Sequence, residues 1–199
     1  MLSKDQVVIM PTTESAYGSN ADVCTEETPI NPLSTYAKHK AHVEQALMER
    51  ENSISLRLAT VYGMSPRMRL DLLVNDFTWK AYKEGSILVF EHNFMRTVLH
   101  VRDAARAFLH ALNGIVPGIY NVGNDTVTKL GLCDLLATKV KPFFYTLLPT
   151  GRDADQRNYS VSSAKIKATG YEYSVKLTDG IDELLKGYRV MSNTRYGNI

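Results

Sequence analysis

Apolar runs of strand length alternate with amphipathic stretches of helix length along this chain, and that order requires a largely parallel sheet covered by helices. The first run, Val7, Val8 and Ile9, is continuous and β-branched, as in strands buried on both faces. It predicts a strand over residues 6–10 that Pro11 and Thr12 end. After a polar loop over residues 18–32, Ser34 can cap a helix running to about residue 50, with Ala37, Ala41 and Leu47 near one face. Ile54, Leu56, Leu58 and Thr60 then alternate with Ser55, Arg57 and Ala59, so residues 54–62 read as the next strand, ended by Gly63.

The pattern continues with a helix over residues 70–84 and strands over 87–90 and 97–101. Asp103 is placed to cap a helix whose apolar face is Ala104, Ala107, Phe108 and Ala111. A strand over 118–122, a helix over 128–140, a strand over 143–145 and helices over 163–168 and 178–190 complete it. The fold class is therefore α/β.

With 199 residues, 44% of them apolar, the chain can bury the core of one large domain, or of a domain plus a lobe. A formal charge of only +2, with no basic stripe, argues against nucleic acid as a partner. Cys24 and Cys133 stand far apart with no CxxC or Cys/His cluster, which disfavours a disulfide framework and a zinc site and fits a reducing cytoplasm. Neither a signal peptide nor 18 consecutive apolar residues is present, so no membrane association is expected.

Tyr36 and Lys40, in TYAKHK, are spaced one helical turn apart and so share a face. A free phenol titrates near pH 10, and a neighbouring ammonium favours its ionised form. Upstream, in PTTESAYG, Thr13 sits just past the first strand, at the carboxyl edge of a parallel sheet, where ligands of open α/β folds bind. Thr12 is the adjacent hydroxyl.

Four segments in order, PTTESAYG, ETPINPLSTYAKHKAHVE, LRLATVYG and RTVLHVRDAARAFLHAL, resemble the extended short-chain dehydrogenase/reductases, and among them the NAD-dependent nucleotide-sugar epimerases and dehydratases. The resemblance spans essentially the whole chain. It implies a partial Rossmann-type parallel sheet over residues 1–62 and 96–125, and a small substrate lobe over residues 63–95 and 126–199. The family's catalytic hydroxyl stands four residues before the tyrosine of the Tyr-Gly pair, which selects Thr13 over Thr12. Thr13 and Tyr36 would hydrogen-bond the sugar hydroxyl being oxidised, and Lys40 would also hold the nicotinamide ribose.

By the same resemblance Ala59 would face the nicotinamide. Thr60 and Asn75 would lie on the substrate side, and Arg96, Arg152 and Asp155 would hold the nucleotide diphosphate and the ribose or base. Arginine suits phosphate because its planar fork can donate two hydrogen bonds at once. The family's dinucleotide fold opens with a glycine-rich turn at a helix N-terminus, and no GxGxxG occurs here. The chain thus resembles the C-terminal two thirds of such an enzyme, and NAD binding by this chain alone is expected to be weak or absent.

Epimerisation of a nucleotide-sugar through a keto intermediate is the leading expectation. Dehydratases of the family carry an Asp-Glu pair after the threonine, where this chain has Glu14-Ser15. A dehydratase, a carbonyl reductase, or a non-catalytic protein that keeps the substrate half of the fold are the alternatives. A homodimer is possible, and no metal is expected.

Overall fold

In the computed structural model, residue 3, residues 5–151 and residues 157–191 are described. The chain runs through β1 (Val8–Thr13), a 3-10 turn (Glu14–Tyr17), β2 (Val23–Cys24), α1 (Thr35–Met48), β3 (Ser53–Leu58), β4 (Thr60–Tyr62), α2 (Leu73–Lys83) and β5 (Ser86–Val89). It continues through β6 (Met95–His100), α3 (Val101–Leu112), β7 (Gly118–Val122), β8 (Asp125–Thr128) and α4 (Lys129–Lys139). β9 (Phe144–Leu147), β10 (Ser160–Val161), α5 (Ala164–Ala168) and α6 (Leu177–Val190) follow.

The central sheet has the order β1-β3-β7, all parallel, with Val8 opposite Ser53 and Ile54 opposite Gly118. The first strand does not stop at Pro11 but runs on to Thr13. Val8 donates its N–H to Asn52 O at 3.0 Å, so Val8, Met10 and Thr12 turn their backbone groups to β3, and Pro11 falls on the other side. There its missing N–H removes nothing from the ladder.

The stretch expected as one strand over residues 54–62 is two. Ala59 still donates to Val122 O at 3.0 Å, but from Thr60 onward the chain leaves the central sheet and pairs in parallel with β6. β6 also pairs, antiparallel, with β8, whose four residues Asp125 to Thr128 have too little apolar character to announce a strand. β5 pairs in parallel with β9, and β2 with β10.

Val101 opens α3 rather than closing β6, and the cap is His100, not Asp103: the imidazole Nδ1 accepts the Arg102 N–H at 3.3 Å. Asp103 is buried in the first turn and accepts from Ser174 N at 3.0 Å, Ser174 Oγ at 2.8 Å and Val175 N at 3.0 Å. It staples the segment before α6 to α3.

Ser34 caps α1 as expected, accepting from Ala37 N at 3.2 Å. Its buried face differs from the apolar stripe expected, since Ala37 and Glu44 are its buried residues. One apolar cluster, including Leu56, Leu99, Ala107, Val122 and Ile166, packs β3 and β7 against α3 and α5. A second, including Val74, Phe77, Leu136, Ile181 and Leu184, joins α2, α4 and α6. Among the described residues no helix is long and apolar enough to cross a membrane.

Candidate active site

β1 and β3 end side by side, and the chain bends away after each: after Thr13 into the 3-10 turn, after Leu58 toward β4. A cleft of about 700 Å³ opens at those carboxyl ends. Thr13, Tyr36, Lys40, Ala59, Thr60 and Arg96 all line it. Residues spaced across more than eighty positions of the sequence thus share one wall.

The two adjacent threonine hydroxyls are not equivalent. Thr12 Oγ1 donates to the buried Glu44 Oε2 at 2.9 Å and lies 2.7 Å from Ser55 Oγ. Thr13 Oγ1 accepts the Ser15 N–H at 3.1 Å, which leaves its own proton available for a ligand. Tyr36 sits in the first turn of α1, 55% exposed, with its phenol near the Arg69 guanidinium. One turn on, Lys40 Nζ donates to Pro11 O at 2.9 Å, on the edge of β1 turned away from β3.

Arg96 is only 2% exposed; it donates to Met95 O at 2.8 Å, and its guanidinium carbon lies 5.7 Å from the centre of the Tyr159 ring. Asn75 does not line the cleft. It is buried on α2, accepts the Gly63 N–H at 3.0 Å and donates to Arg69 O at 2.8 Å, so its carboxamide is engaged in shaping the loop between β4 and α2. Arg152 and Asp155 lie outside the described residues.

Three charged lining side chains among the described residues escaped the sequence reading. Arg69 and Asp71 form a paired fork, with Arg69 Nε donating to Asp71 Oδ1 at 3.0 Å. Arg157 reaches across to donate to Ser15 Oγ. Isolated arginines in loops carry no periodic signal; only the run RMRLD hinted at a charged patch. With Lys40, Arg69, Arg96 and Arg157 against Asp71, the described wall is cationic and suits an anionic ligand.

Glu14, directly after Thr13, turns inward: it is 0% exposed, and neither carboxyl oxygen has a hydrogen-bond partner. Burial, and then the nearby Glu26 carboxylate, push its acid well above the usual carboxylate range against the pull of Arg57. Ser15, not a carboxylate, occupies the cleft wall beside Thr13. Among the described residues no cluster of three or more His, Cys, Asp or Glu could hold a metal.

The Tyr36 phenol, the Lys40 ammonium and the small Ala59 share this wall, a hydrogen-bonding pair beside room for a flat ring such as a nicotinamide would need. No glycine lines the cleft among the described residues, so no close-approach cradle for a pyrophosphate lies here.

Residues 2–123 match the NAD dependent epimerase/dehydratase family. The fold superposes on dTDP-glucose 4,6-dehydratase from Bacillus anthracis in complex with NAD, with TM-score 0.77, 24% identity and coverage of 96% of this chain and 63% of that one. UDP-glucose 4-epimerase from Thermus thermophilus, complexed with NAD, gives 0.76 at 25% identity, covering 92% and 63%. UDP-glucose 4-epimerase from Thermotoga maritima, with UDP-glucose, gives 0.73 at 26% identity, covering 91% and 62%. The chain therefore spans less than two thirds of the length of these solved proteins. A Rossmann-like sheet, a hydroxyl, phenol and ammonium on one cleft, and a family match over most of the chain lead to one assignment: this protein belongs to the NAD dependent epimerase/dehydratase family.

Proposed function

We propose that the cleft at the ends of β1 and β3 is a nucleotide-sugar site at which Tyr36, Thr13 and Lys40 manage the proton of a sugar hydroxyl during epimerisation. The observation that carries this is the convergence of those three side chains with Arg96 on one wall. In this reading Tyr36 takes the hydroxyl proton and Thr13 donates to the same oxygen. Lys40 holds positive charge beside the phenol, and Arg96 anchors the diphosphate. Ala59, the nearest small residue at the end of β3, leaves room for a flat ring, and Thr60 borders the sugar. NAD, held by Tyr36 and Lys40, would supply the hydride acceptor and donor.

Ser15 favours epimerisation over dehydration. A dehydratase would need the second carboxylate of the pair, at the place of Ser15, to remove the proton next to the new carbonyl, and Glu14, at the first place, is shut inside. Asp71, the carboxylate that lines the cleft among the described residues, is bound by Arg69. We take residues 1–62 and 96–125 as the sheet-bearing half and 63–95 and 126–199 as the substrate lobe.

A second reading is a protein that binds nucleotide-sugar without turnover, since the cationic wall would hold a diphosphate whether or not chemistry follows. Turnover with NAD, in protein joined to a segment carrying the glycine-rich turn, separates the two; NAD titrated into this chain alone should bind weakly or not at all. In protein joined to a segment carrying the glycine-rich turn, Tyr36→Phe should then lower turnover by about 10²–10⁴-fold.

A further inference from the structure

Tyr36, Lys40 and Glu44 follow one another at four-residue intervals on α1, and so form a single stripe facing the sheet. The first two reach the cleft. The third is buried and receives every polar group within reach: Ser55 Oγ at 2.6 Å, Thr12 Oγ1 at 2.9 Å, and Arg57 through Nε at 3.0 Å and a terminal nitrogen at 2.6 Å. Arg57 continues the network to Tyr17 Oη at 2.7 Å, and Tyr17 donates to Asn121 Oδ1 at 2.8 Å. One carboxylate thus binds the strand residue next to Thr13 and, through its own helix, the residues one and two turns before it.

A buried ion pair is seldom needed for stability, since apolar residues of like volume often serve as well, whereas directional bonds fix register. Only Ala37 and Glu44 are buried among the residues of α1, so beside the Lys40–Pro11 bond the directional contacts that hold the helix to the sheet come from Glu44. We propose that Glu44 is the positioning residue of the site: it locks the height of α1 over β1 and β3, and so sets Tyr36 and Lys40 against Thr13. This rests on the reading of the cleft given above.

The test uses the chain itself in a double variant, Glu44→Leu with Arg57→Met. The groups left behind keep each other, Thr12 with Ser55 at 2.7 Å and Tyr17 with Asn121 at 2.8 Å, so urea unfolding should show a stability close to that of the wild type. Two readouts follow: trace acetylation of Lys40, with Lys80 as internal reference, and calorimetric affinity for UDP-glucose. The expected result is faster labelling of Lys40, released from Pro11 O, together with affinity lowered about tenfold. A role in stability alone moves neither once folding is matched, and wild-type values of both overturn the proposal.

If the double variant does not fold, Glu44→Gln decides by the same labelling. It keeps an acceptor for Thr12 and Ser55 but loses the charge facing Arg57; faster labelling of Lys40 supports the proposal, and an unchanged rate overturns it. If the wild type binds no UDP-glucose, the site reading fails, and Lys40 labelling still decides the role of Glu44.

Discussion

Lys40 Nζ lies 2.9 Å from the main-chain oxygen of Pro11, two residues before Thr13. The helix that carries the phenol is thereby bonded to the strand that presents the hydroxyl. Lys40→Met should cost about 0.5–1.5 kcal/mol of folding stability, the net worth of one such bond. Urea midpoints at neutral pH measure it.

Breaking the buried pair on one side only should be far more damaging. Arg57→Met leaves Glu44 charged and unmatched in the interior and should destabilise by about 3–5 kcal/mol. Chemical unfolding at pH 7, set against the double variant, gives the number.

The two buried glutamates respond to pH in opposite senses. Burial works against ionised Glu44, but its hydrogen bonds from Arg57 and Ser55 prevail and hold it below the ordinary range. Its contribution is present above the unfolded-state value and is lost as pH falls through the folded one. Glu14 is raised, by burial first, so the folded state holds a proton that the unfolded state gives up, and stability declines as pH climbs above the ordinary glutamate range. Glu14→Gln, which mimics the neutral acid, should stabilise the protein at pH 7 and much less at pH 4. Thermal unfolding at both values checks the sign.

Arg96→Ala should weaken binding of UDP, used as a nucleotide diphosphate probe, by about 1.5–3 kcal/mol, the usual worth of a hydrogen bond to a charged group. Calorimetry with wild type and variant reads it directly. An unchanged affinity removes Arg96 from the phosphate contacts.

Much of the frame was legible because it follows from period and chain chemistry. The alternating run from Ile54, the Ser34 cap and the Tyr36–Lys40 interval each have a local cause, and each element is present. Glu44 was not legible: on an exposed-looking face a glutamate reads as solvated, and only the fold brings Arg57, Ser55 and Thr12 to it. β2, β8 and β10 are too short to carry a period of their own, and exist through pairing with distant partners. Asn75 resembled a substrate contact by position, yet the loop it braces takes up its carboxamide. Arg69 and Arg157 meet the cleft through loops whose course no periodicity encodes.

The most direct test of the site is to follow backbone amide resonances of the chain during titration with UDP-glucose. Saturable shifts concentrated at Thr13, Ser15, Tyr36, Ala59, Thr60 and Arg96, and lost in Arg96→Ala, are the expected result. Shifts that cluster elsewhere on the surface, or none at millimolar ligand, would contradict the assignment of this cleft.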